Sequence, residues 1–76
     1  MNQIKIKDEY IKLGQALKLS GMVGSGVEAK IVILDGQVLV NGEVELQRGK
    51  KLHPGDIISF NGEEAQIQSG LSSRLN

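Results

Sequence analysis

Two Asn-Gly dipeptides, Asn41-Gly42 and Asn61-Gly62, constrain this chain more than any other feature. Each sits between short apolar-rich runs, "QVLV" and "EVEL" around the first, "DIISF" and "EEAQI" around the second. A two-residue hairpin loop of type I′ needs positive φ at both central positions, which asparagine and glycine tolerate and most residues do not. The sequence therefore predicts two β-hairpins in its C-terminal half. Between them, His53-Pro54-Gly55-Asp56 has turn chemistry, with Pro54 fixing φ and Gly55 supplying the freedom that follows it. A further strand is expected at residues 3–6, "QIKI", where polar and apolar residues alternate.

The intervening segment has helical spacing. Asp8 and Glu9 suit a first helical turn, and a helix is expected from about Glu9 to Leu19. Its apolar face would hold Tyr10, Leu13, Leu17, Ile11, Ala16 and Leu19, with Lys12, Gln15 and Lys18 opposite and a stop at Gly21. Ser25 and Glu28 have the S-x-x-E spacing of a capping box, in which the two side chains satisfy unpaired N–H groups at a helix start. That second helix would run to about Leu34, burying Val27, Ile31 and Leu34, and close at Gly36. Val32 and Ile33 make a strand over "KIVIL" the competing reading, and the bracketing cap and stop signals decide for helix. The expected fold is α+β, two packed helices followed by a small sheet built from two hairpins, with a short N-terminal strand. One domain over residues 1–68 is expected, with a frayed tail at 69–76, "SGLSSRLN".

Seventy-six residues leave no room for a second core. With one Tyr, one Phe and no Trp, the core must be aliphatic, and Tyr10 and Phe60 are both expected to pack in it. There is no cysteine and a single histidine, His53, so no metal site and no cofactor are expected. Gly21, Gly24 and Gly26 have the order G-x-x-G-x-G without a preceding strand, which suits an interhelical turn better than a nucleotide cradle. No nucleophile and base pair can be nominated, so the chain is not expected to be an enzyme or to take a small-molecule substrate. The N-terminus lacks an apolar export segment, and no run approaches the ~20 apolar residues of a membrane span. A cytoplasmic location with no membrane partner is expected.

Nine basic and nine acidic residues cancel, so distribution has to decide the sign of any partner. "LQRGKKLHPG", residues 46–55, carries Arg48, Lys50 and Lys51 and no acid. Taken alone, such a run is a solvated connector that keeps strand edges apart. The capped helix start at Ser25-Gly26 adds free N–H groups and the positive end of a helix dipole, which suit a phosphate.

The order Leu13-x-x-x-Leu17, Gly21, Ser25, Ala29-Lys30, Gly36-x-Val38-x-Val40-Asn41-Gly42 and Gly55-Asp56 resembles the S4-type RNA-binding domain. This is the helix-helix-hairpin αL module found in a small-subunit ribosomal protein, bacterial tyrosyl-tRNA synthetases and pseudouridine synthases. The resemblance spans Tyr10 to Phe60 and is closest to the small stand-alone bacterial S4-like proteins of the YaaA/YbcJ type. It implies a bacterial, cytosolic RNA-binding protein linked to ribosome assembly. Two positions depart from the pattern: Gly26 stands where many such domains have arginine, and Lys12-Leu13-Gly14 stands where they often have Arg-Leu-Asp.

On that resemblance, Lys12, Lys18, Ser25, Gly26, Lys30, Gln37, Asn41, Arg48, Lys50 and Lys51 are the expected RNA-binding residues. The cations would meet phosphates, with Ser25, Gln37 and Asn41 hydrogen-bonding beside them. Few aromatics argue against base stacking, so recognition of a structured, ribosomal RNA by backbone and shape is expected. Glu43 and Glu45 should lie off the RNA-facing side. The competing reading is a non-catalytic adaptor that binds a protein through an exposed strand edge. A DNA partner has no support, because no helix carries a major-groove reading set.

Overall fold

The computed structural model describes residues 1–70. Strands β1 (Asn2–Ile6) and β2 (Ile11–Lys12) precede the helices α1 (Leu13–Leu19) and α2 (Gly26–Leu34). Strands β3 (Val38–Val40), β4 (Glu43–Val44), β5 (Lys51–Leu52), β6 (Ile57–Phe60) and β7 (Glu63–Ser69) follow. Both expected hairpins are present. Asn41 and Gly42 have φ of 52° and 87°, Asn61 and Gly62 of 53° and 81°, the left-handed pairs that a type I′ loop demands. β3 pairs with β6, which joins the hairpins into one sheet of order β1-β7-β6-β3-β4. The expected N-terminal strand completes it by lying parallel to β7.

Alternation along the strands gives this sheet one apolar face. Val40, Ile58 and Ala65 are cross-strand neighbours on β3, β6 and β7, and Ile4 lies beside Ile67. The helices cover this row with Leu13, Ala16, Leu17, Ala29, Val32 and Ile33, and Phe60 packs partly buried against the same core. Each fully buried Leu or Ile contributes about 1.5–3 kcal/mol, so this aliphatic cluster is the main source of stability.

Helix α1 begins at Leu13 rather than at Glu9. Ile11 and Lys12 instead pair antiparallel with Leu52 and Lys51, in a two-stranded ribbon separate from the main sheet. Asp8 and Glu9 therefore precede β2 and cap no helix, and Tyr10 and Leu19 are exposed, not buried. A non-local pairing between segments some forty positions apart leaves no periodic trace, so helical spacing by itself cannot place the start of α1.

Helix α2 has the expected bounds, but its faces are exchanged. Val27, Ile31 and Leu34 are 60–70% exposed, and Ala29, Val32 and Ile33 are buried. At 100° per residue these two triplets lie on opposite sides, so the helix is apolar on both and its pattern cannot choose between them. The Ser25 Oγ accepts the Glu28 N–H at 3.1 Å, and the Glu28 carboxylate accepts the N–H of Gly24 at 2.8 Å, one residue before the usual capping-box donor. At the other end Gly36 and Gln37 donate to Ile33 and Val32 carbonyls, which closes the helix in a Schellman motif.

β7 extends to Ser69 beside Ile6, and the Gly70 N–H donates to the Ile6 carbonyl at 2.8 Å. The rest of the expected tail, residues 71–76, lies outside the described residues. Among the described residues no helix is long and apolar enough to cross a membrane.

Candidate nucleic-acid interface

The loop between β4 and β5 is tied to the start of α1 by its backbone. Lys12 offers no side-chain cap, so the first N–H groups of α1 need other acceptors. Leu13 donates to the Lys50 carbonyl at 2.9 Å and Gly14 to the Arg48 carbonyl at 3.1 Å. These two bonds hold the basic loop against the helix. Gly14 makes the approach possible, because a Cβ there would sit 2.7 Å from Arg48 Cγ.

One open groove results, lined by Lys12, Gly14, Gln15, Lys18, Gly26 and Arg48 together with Gly49. Strand β2 supplies Lys12, successive turns of α1 supply Gln15 and Lys18, the loop supplies Arg48, and Gly26 opens α2. Among the described residues no carboxylate lines the groove. A Cβ added at Gly26 would meet nothing within 4 Å, so the missing side chain leaves the first turn of α2 open to approach. Four of the expected site residues, Lys12, Lys18, Gly26 and Arg48, thus meet in one place, although three separate segments carry their charges.

The ribbon adds a second concentration of charge. Lys12 is directly opposite Lys51 in the β2–β5 pair, an arrangement that costs stability between like charges. The Lys51 ammonium lies over the Tyr10 ring, 4.8 Å from its centroid, with the His53 ring 6.3 Å away and tilted by 55°. Lys50 and Lys51 also line a different concavity with Asn41, His53, Asp56, Glu43 and Glu45. Its charges are mixed, unlike those of the groove.

The remaining expected residues are placed elsewhere. Ser25 caps α2 beside the groove without lining it. Lys30 is exposed on α2 between the outward Val27 and Leu34. Gln37 donates to the Asp35 carboxylate at 2.7 Å. The Asn41 side chain bridges two elements, donating to Asp56 Oδ1 at 3.0 Å and accepting the Ile57 N–H at 2.9 Å. Gln15, Gly14 and Tyr10 belong to the basic surface and were not among the expected residues. The signal for Gln15 was its spacing of three from both Lys12 and Lys18; for Gly14, it was a glycine inside a helix.

Asp56 locks the turn that leads into β6. Its carboxylate accepts the His53 N–H at 2.8 Å, and its own N–H donates to the His53 carbonyl at 2.9 Å. Pro54 and a Gly55 φ of 102° complete the turn. Burial alone would raise the Asp56 pKa, but the bonds from the His53 backbone and the Asn41 amide, with the charges of His53 and Lys50, outweigh it and hold the pKa below 3.8.

Residues 4–68 match a family model described as the S4 domain. The chain is 44% identical over 61 residues to "Probable ribosome maturation protein RlbA" of Bacillus subtilis strain 168, covering 80% of this chain and 86% of that one. It is 41% identical over 61 residues to "Putative RNA-binding protein YbcJ" of Escherichia coli K12, covering 80% and 87%. The solution structure of YbcJ from E. coli, described as revealing an "ALFAL motif involved in RNA-binding", superimposes with a TM-score of 0.70. That match is 38% identical and covers 90% of this chain and 87% of the other.

Proposed function

The chain belongs to the S4 domain family, and on that premise we propose that it binds structured RNA by holding phosphates in the groove of Lys12, Lys18, Gly26 and Arg48. One observation carries this reading: cations from β2, α1 and the β4–β5 loop line a single groove that no carboxylate of the described residues shares. Three exposed cations in one groove supply the positive charge that RNA phosphates neutralise, and the start of α2 at Gly26 offers backbone N–H groups beside them. Such contacts fix register and orientation and carry little sequence information, so shape selects the RNA. Zero net charge keeps long-range attraction weak, so affinity for unstructured RNA is modest.

The RNA is ribosomal and the protein acts during ribosome assembly, as the name of the Bacillus relative suggests. Its role is binding without catalysis, in the bacterial cytoplasm. Sedimentation of a lysate tests this: co-migration with a ribosomal particle at low salt, lost at high salt and on reversing Lys18 and Arg48, is the expected result. A protein at the top of the gradient under both conditions contradicts it.

A second reading, contact with a protein, has one observation in its favour. Val27, Ile31 and Leu34 form an exposed apolar row along α2. Binding through that row would survive high salt, whereas phosphate binding would not.

A further inference from the structure

Beside the phosphate groove lies a second concavity, of about 510 Å³, within the ~300–1,000 Å³ typical of small-ligand sites. It shares Gln15 and Lys18 with the groove, so the two form a continuous surface. Its character is different. Tyr10, Ile11 and Leu19 give it an aromatic and aliphatic lining, and Lys5, Lys7 and Lys18 add three ammonium groups. Asp8 is the one acid among the described residues that lines it.

The state of the apolar residues is unusual for a chain so poor in aromatics. Tyr10 is 37% exposed and Leu19 is 67% exposed, although both occupy positions with core spacing. The Lys51 ammonium lies over one face of the Tyr10 ring, 4.8 Å from its centroid, and the ring also lines this concavity. A partly exposed aromatic ring in a concavity that also holds three lysines fits a nucleobase with its own phosphate. Aromatic side chains stack bases of any sequence, with charge tracking the backbone beside them.

We propose that this concavity receives one unpaired nucleotide of the bound RNA, its base stacked on Tyr10 and its phosphate met by Lys18 and the lysines of β1 and its exit. The inference rests on the phosphate-groove reading and deepens it: the RNA is a paired stem that carries a flipped or bulged nucleotide next to the segment held by Lys12 and Arg48. Tyr10 is then the residue that makes binding selective for irregular over fully paired RNA.

The test uses the whole chain and two RNA hairpins of identical stem, one with a single bulged adenosine and one fully paired. Tyr10 is the only Tyr in a chain without Trp, so intrinsic emission reports on this one ring. The bulged hairpin is expected to bind about tenfold more tightly and to quench that emission, in keeping with the energy of one stacked base. Tyr10→Ala should lose the preference and Tyr10→Phe should keep it, while Lys18→Glu with Arg48→Glu should weaken both RNAs. Equal affinity for the two hairpins, or a preference that survives Tyr10→Ala, overturns the nucleotide site and leaves the groove reading intact. Failure of the wild-type chain to bind either hairpin overturns both.

Discussion

Arg48 Cγ lies 2.7 Å from the point where a Cβ on residue 14 would be, so the Arg48 stem crosses α1 only because Gly14 has no side chain. The bare Gly14 position is the seat of a cation. Gly14→Ala should favour helix by up to ~1 kcal/mol in propensity and still displace Arg48 from the groove. The expected result is a circular dichroism spectrum like that of the wild type with RNA affinity reduced several-fold, about the effect of one lost phosphate contact at moderate salt. Affinity unchanged in Gly14→Ala would show that Arg48 does not act from this position.

The exchange of faces on α2 is open to a direct stability test. Ile33 is fully buried and Ile31 is 60% exposed. Ile33→Ala should cost about 2–5 kcal/mol in chemical denaturation, whereas Ile31→Lys should stay within about 0.5 kcal/mol of the wild type. Equal losses at both positions would contradict the observed packing.

The cap of the same helix makes a smaller contribution. Ser25→Ala removes the acceptor for the Glu28 N–H and should cost ~1 kcal/mol. For a chain of this length that lowers the melting temperature by about 4–8 °C. Ser25→Asp should restore it.

Asp56 predicts an acid-dependent loss of stability. Its folded pKa is depressed below the ordinary 3.8, so its contribution is fully present above that value and is lost as pH falls through the folded pKa. Asp56→Asn should therefore flatten the dependence of stability on pH below about 5, measured by urea denaturation. Asn41→Ala should also destabilise at neutral pH. It removes two hydrogen bonds and places alanine at a φ of 52°, a combined cost of roughly 2–3 kcal/mol.

Local signals account for what the sequence revealed. The two Asn-Gly loops, the Ser25 cap and the Gly36 stop all appear as expected, because each is set by residues within a few positions. The S4-type α+β architecture follows from their order, and the family comparison agrees. What escaped was non-local. The ribbon between Ile11-Lys12 and Lys51-Leu52, which shortens α1 and exposes Tyr10, depends on two short segments meeting across the chain. The buried side of α2 depends on what packs against it, since Val27, Ile31 and Leu34 are as apolar as the triplet inside. At the candidate site, Lys12, Lys18 and Arg48, expected to meet phosphates, and Gly26, expected to leave the start of α2 open, line one groove. Asn41 and Gln37, expected to hydrogen-bond beside the phosphates, instead hold Asp56, Ile57 and Asp35 with their side chains. Composition records that a group can donate or accept; only the fold records with what.

The most direct test of the central claim is the salt dependence of binding to a structured ribosomal RNA fragment, followed by fluorescence anisotropy between low and moderate salt. Three groove cations predict that log affinity falls with log salt with a slope of about −2 to −3, and that Lys18→Glu with Arg48→Glu brings it to about −1 or shallower. The paired variant should keep the wild-type circular dichroism spectrum, since both side chains are exposed. A flat salt dependence, or an affinity that the double reversal leaves unchanged, would contradict a phosphate-binding groove at Lys12, Lys18, Gly26 and Arg48.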